Sequence, residues 1–220
     1  MGALDLFFWL LLFTGTWALW LLVYSKGITY EESPLLTTIF FGISCIAHFV
    51  LFADLLISYL EGVDFGLYFL IAFVVLLGLN VAAYAFFQRW YSEVFLQQSA
   101  QELKRAYFGL WSKQWEIVFQ QVSFLTLWLL VQKLYFSNVV LTTLVVTVVF
   151  SVLHLPLLVF LRRFFAWYYT VASILGALLF CMLLFYVPNG IVYTLCVQSL
   201  FYTGTVWFFW KKQKQFPVIR

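Results

Sequence analysis

Two groups able to take a proton from water stand on consecutive apolar stretches of this chain. Glu116, followed by Gln120 and Gln121, lies near the start of one stretch, and His154 lies near the end of the next, in Phe150-Ser151-Val152-Leu153-His154-Leu155-Pro156. A carboxyl and an imidazole are costly in lipid unless they face protein or water, so an intramembrane pair of them marks a candidate site. The chemistry open to such a pair is activation of water for hydrolysis of an amide, provided that hydrogen-bond donors are aimed at the developing oxyanion. Gln198, Tyr202, Gln120 and Asn80 are the candidates for those donors or for contact with a substrate.

Each of these residues also has a plainer reading. Glu116 suits a helix start, where the amide dipoles of the first turn favour a carboxylate. His154 can bond to a neighbouring helix or fill space beside Pro156, and Gln198 and Tyr202 are ordinary interhelical hydrogen-bonding residues. His48 and Asp54 lie elsewhere and fit packing or local pairing.

The elements that must position these residues are membrane helices. Hydrophobic residues make up 65% of the 220 residues and charged residues only 10%, and the mean hydropathy is +1.00. Soluble domains carry roughly 25% charged residues. The 27 Phe, 13 Tyr and 10 Trp suit lipid-facing surfaces and interfacial belts. Cys45, Cys181 and Cys196 fall singly inside apolar runs, a pattern of small buried hydrophobes rather than of disulfides or a metal site. The first apolar run carries Asp5 with no basic residue before it and is as long as a membrane span, unlike a cleavable signal.

A hydrocarbon core of roughly 30 Å needs about 20 apolar residues per helix. Seven stretches meet that length, near 4–24, 34–60, 66–88, 114–136, 138–161, 164–187 and 189–210. Long apolar runs without dyad alternation exclude a barrel, so the expected class is an all-α integral membrane protein. Ser33-Pro34 reads as a helix start, with the Ser able to cap free amides. Ser137-Asn138 and Pro188-Asn189-Gly190 read as tight turns, with Asn able to cap the helix that follows. Pro156 removes the hydrogen bond to the Val152 carbonyl, which predicts a kink just past His154.

Between the third and fourth spans, Leu103, Ala106, Tyr107, Leu110 and Trp111 share a face with Lys104 and Arg105 on another, the pattern of an amphipathic helix at the cytoplasmic interface. The whole reads as one polytopic domain: helices one to three in 1–88, a connector in 89–113, a core in 114–210 and a basic tail in 211–220. Every alternate loop is basic, through Lys26, then Arg89, Lys104, Arg105 and Lys113, then Arg162 and Arg163, then Lys211, Lys212, Lys214 and Arg220. By the positive-inside rule the N-terminus is outside and the C-terminus cytoplasmic. These clusters report orientation and do not point to nucleic acid. On that topology His154 lies about 9 Å below the cytoplasmic surface, Tyr202 and Asn80 about 12 Å and Gln198 about 18 Å.

The chain resembles the CPBP family, the CAAX-processing and bacteriocin-processing intramembrane proteases. The family reads Glu-Glu-x-x-x-Arg on one helix, Phe-x-x-x-His on the next but a short distance on, and His-x-x-x-Asn or similar on a later helix. Here the first motif appears as Trp115-Glu116-Ile117-Val118-Phe119-Gln120, and the second is intact from Phe150 to His154 and followed by Leu-Pro. The third is best placed at Gln198-Ser199-Leu200-Phe201-Tyr202.

The resemblance covers about the C-terminal half and implies a CPBP-like core of four helices. In the family the leading Glu and the second-motif His activate water, while the third motif stabilises the oxyanion. Trp115 stands here for the leading Glu, Gln120 for the Arg, and Gln198 and Tyr202 for the third motif. Of the machinery, Glu116 and His154 survive.

The expectation is therefore a CPBP-like membrane protein that binds a partner or substrate helix without cleaving it, as a pseudoprotease or a subunit of a membrane complex. The alternative is an active, metal-independent intramembrane endopeptidase using Glu116 and His154. No cofactor is expected. A bis-histidine haem would need His48 and His154 at one depth, whereas they differ by about 12 Å, and a retinal protein needs a lysine in the middle of the last helix. A transporter would more often show broken midplane helices or an inverted repeat.

Overall fold

The computed structural model describes residues 2–28, 30, 32–63, 100–134, 138–160 and 163–213, together with isolated positions between 66 and 78. The expected third span at 66–88, Asn80 and the connector before Ala100 lie outside the described residues, apart from those positions. So do Ser137, Arg162 and the tail from Lys214. The described residues form helices and no strand: α1 (Ala3–Ser25), α2 (Pro34–Leu51), α3 (Ala53–Leu60), α4 (Ala100–Leu134), α5 (Val139–His154), α6 (Leu157–Phe160), α7 (Arg163–Tyr186) and α8 (Gly190–Gln213).

Three of these helices, or parts of them, are long and apolar enough to cross a membrane: Ala3–Ser25, Pro34–Leu51 and Trp167–Tyr186. Val139–His154 and Gly190–Tyr202 are shorter apolar helices. Within a helix the backbone donors and acceptors bond to one another, which keeps them from being bare to hydrocarbon. Rows of apolar side chains, such as Ile39, Ile43, Ile46 and Val50 on α2, are exposed on its surface, as lipid contact requires. The chain falls into two compact units, Ala3–Thr126 and Leu127–Arg220 with residues 1–2.

In the first unit an aromatic core joins α1, α2 and α4. The Trp9 and Phe13 rings stack at 5.3 Å, Phe13 stacks on Phe119 at 6.1 Å, and Phe119 meets Phe41 at 5.8 Å. Trp20 closes the cluster against Phe41 at 5.1 Å. Without a hydrophobic drive between helices in lipid, such close packing and buried hydrogen bonds hold them together.

The expected second span is divided at Phe52, whose φ of −119° and ψ of 28° separate α2 from α3. The ladder survives the bend: the Phe52 amide donates to the His48 carbonyl and the Leu56 amide to the Phe52 carbonyl, each at 3.0 Å. At the α2 start Pro34 occupies the expected place, but the Ser33 side chain makes no capping bond. The Ser33 carbonyl accepts instead from the amide and the hydroxyl of Thr37, each at 3.0 Å. Residues 100–111 and the expected fourth span run as one continuous helix, α4.

In the second unit α7 packs against α5, α6 and α8. The Asn138 side chain caps α5, accepting from the amides of Val140 at 2.9 Å and Leu141 at 3.2 Å. At the other end the helix breaks at Leu155-Pro156, as the missing proline amide predicts. The Val152 carbonyl, which Pro156 cannot serve, accepts from the Leu155 amide at 3.1 Å.

The turn into α8 depends on two residues. Asn189 adopts the left-handed conformation at φ 59°, which Asn tolerates better than most residues. A Cβ on Gly190 would lie 2.2 Å from the Leu183 carbonyl oxygen, so only glycine lets the start of α8 sit against the end of α7. The Trp128 and Phe185 rings meet edge-on at 4.7 Å and tie the end of α4 to α7.

Candidate functional site

Glu116 lies on α4 in the first unit and is 1% exposed. Its Oε1 accepts from the Lys113 ammonium at 2.6 Å and from the Gln120 amide at 2.8 Å. Its Oε2 accepts from Lys113 at 2.7 Å and from the Tyr30 hydroxyl. An ionised carboxylate offers about four lone-pair sites, and four hydrogen bonds from three groups fill them. Helical spacing puts Lys113, Glu116 and Gln120 on one face of α4.

Tyr30 arrives from the connection between α1 and α2. Its ring lies 4.8 Å beneath the Lys113 ammonium and 5.1 Å from the ring of Trp20, and its carbonyl accepts from the Ser112 hydroxyl at 3.3 Å. The buried carboxylate is thus both neutralised and hydrogen-bonded, the condition for holding a charge out of water.

A second polar centre in the same unit is built on His48, which is 0% exposed. Its Nδ1 lies 3.3 Å from the Ser44 carbonyl. A carbonyl only accepts, so the ring hydrogen sits on Nδ1 and Nε2 accepts from the Ser123 hydroxyl at 3.1 Å. The Trp9 indole donates to the Ser123 carbonyl at 2.8 Å, and Phe119 meets the imidazole edge-on at 5.2 Å. Helices α1, α2 and α4 therefore share one hydrogen-bonded centre, with His48 paired as a packing residue.

His154, Gln198 and Tyr202 belong to the second unit. The His154 Nδ1 donates to the Phe150 carbonyl at 2.7 Å, and the Phe150 and His154 rings lie 5.6 Å apart. The Phe-x-x-x-His motif is thus realised as a contact along one face of α5. Helices α5 and α7 pack together and are joined through the short α6, which makes them antiparallel, and the Cys181 thiol lies beside Thr143. Thr143 stands 11 residues before His154 and Cys181 11 residues after Thr170, so His154 and Thr170 share a level.

Close to that level the hydroxyls of Tyr168 and Thr205 bond at 3.0 Å, and Phe201 stacks on Tyr168 at 5.8 Å. Tyr202 therefore lies near the level of His154, on a helix that also packs on α7. Gln198, buried at 8% exposure, is one helical turn nearer the Pro188-Asn189-Gly190 turn.

Of the expected site residues, then, the structure joins Glu116 to Gln120 and sets His154, Tyr202 and Gln198 along one bundle. Sequence reasoning did not assign Lys113 or Tyr30 to Glu116, nor Ser123 to His48. The spacing of three residues between Lys113 and Glu116 was a usable signal. Among the described residues no group of three or more His, Cys, Asp or Glu is placed to hold a metal ion. Comparison of the chain with protein-family models, with curated proteins and with solved structures finds no match in any of the three.

Proposed function

We propose that this chain is a polytopic membrane protein that binds a partner or substrate helix without cleaving it, a CPBP-like protein that has left hydrolysis behind or serves as a subunit of a membrane complex. The observation that carries this reading is the saturated carboxylate of Glu116. A general base must present a lone pair to the proton it removes. Those of Glu116 are taken by Tyr30, Lys113 and Gln120, and Trp115 occupies the place of a second carboxylate. The exposed apolar rows of α2, α5 and α7 offer area for neighbouring helices as well as for lipid.

The full chain, extracted from its own membranes in mild detergent, is expected to run in fixed ratio with a membrane protein of intact length. Recovery of the chain alone, under conditions that preserve other membrane complexes, counts against the proposal.

The basic loops support seven spans, an interfacial stretch at the start of α4, an outside N-terminus and a cytoplasmic C-terminus in a plasma or bacterial inner membrane. With Cys45, Cys181 and Cys196 replaced, a new cysteine beside Asn189 is expected to label from outside in intact cells. One at Lys26 is expected to label only after the membrane is opened. The reverse pattern would overturn the topology.

A further inference from the structure

Helices α5 and α7 pack together, and polar or small residues recur at helical spacing on each of them. Thr143 lies beside Cys181 without a hydrogen bond from its buried hydroxyl, and the antiparallel register then sets Thr147 level with Ala177, Ser151 with Ser173 and His154 with Thr170. Thr143, Thr147, Thr170, Ala177 and Cys181 are all buried.

Several hydroxyls on these apolar helices satisfy themselves on the carbonyl one turn back. Thr14, Ser44, Thr126, Ser151 and Ser173 all do so, at 2.6 to 2.9 Å. Thr147 and Thr170 do not. They are 8% and 4% exposed, and their buried hydroxyls have no hydrogen-bond partner among the described residues.

An unsatisfied buried hydroxyl costs about 1–3 kcal/mol, and each of these threonines has a carbonyl one turn back that could relieve it. Two such groups on facing helices, about 10 Å apart along the seam, do not reach each other directly. A buried water, by contrast, makes about three hydrogen bonds to groups of this kind.

We propose that the α5–α7 seam binds a short file of ordered water that runs from Thr147 past Ser151 to Thr170 and hydrates the imidazole of His154 from within the unit. The ligand is water itself, and the track gives an intramembrane histidine a route for proton exchange. It goes beyond the helix-binding reading and stands whether or not that reading holds.

The test uses the full chain in lipid bilayers, isotopically labelled on its Thr and Val methyl groups, with magnetisation transferred from water. Transfer to the Thr147 and Thr170 methyls is expected at mixing times that leave Val146, buried at 0% exposure on α5, without signal. Threonine methyls as dry as Val146 would overturn the proposal.

Thr147→Val and Thr170→Val give opposite signs under the two pictures. If water bridges the hydroxyls, each variant lowers Tm by about 2–4 °C and weakens the water signal at the other threonine. In a dry seam, valine removes an unsatisfied group and Tm rises, which would also overturn the proposal. Should one variant fail to fold, the other and the unsubstituted chain still decide.

Discussion

Lys113→Met is expected to destabilise the first unit by about 3–5 kcal/mol, the cost of leaving a buried charge without its counter-charge. Glu116 is 1% exposed, and among the described residues Lys113 is the cation bonded to it, serving both oxygens. Tyr30 and Gln120 would still donate, but neither carries charge. Thermal unfolding in detergent should show a fall in Tm of about 10 °C, taking roughly 2–4 °C per kcal/mol for a chain of this size. The double variant Lys113→Met with Glu116→Leu removes both charges and should recover most of the loss, because a buried pair can often be replaced by apolar residues of similar volume. A single variant as stable as the parent would show that Glu116 does not depend on this ion pair.

Phe119→Ala should be about as damaging, at roughly 3–5 kcal/mol for deletion of a fully buried aromatic ring. Phe119 is 0% exposed and meets Phe13, Phe41 and His48, so it links α1 and α2 through α4. Ile39→Ala, on the exposed row of α2, is the matched control and should change stability by no more than about 0.5 kcal/mol. Equal effects of the two substitutions would mean that the aromatic cluster is not the core of its unit.

Local chemistry made part of this architecture legible. Pro156 has no amide, so the break after His154 could be read directly, and the Asn138 cap follows from the short reach of an Asn side chain to amides two and three residues ahead. Pairing within a turn is equally readable, as between Glu116 and Gln120. The bend at Phe52 was not, because the run from His48 to Ala53 contains no proline or glycine.

Distant partners left no local mark. Tyr30 reaches Glu116 across 86 positions and Ser123 reaches His48 across 75, and no periodicity predicts such meetings. From the sequence Glu116 and His154 read as a candidate pair, and the structure adds the partners that the sequence did not show for Glu116, Tyr30 and Lys113.

The central claim is that the chain engages helices without hydrolysing them. Its most direct test compares strains producing the native chain and Glu116→Gln at equal protein level, with mass spectrometry of the N-terminal peptides of all membrane proteins. Gln keeps the shape of the side chain and removes the carboxylate that the first motif, residues 115–120, contains. The account predicts the same set of N-termini in both strains. A defined cleavage product present with the native chain and lost with Glu116→Gln would contradict it and identify the chain as a protease.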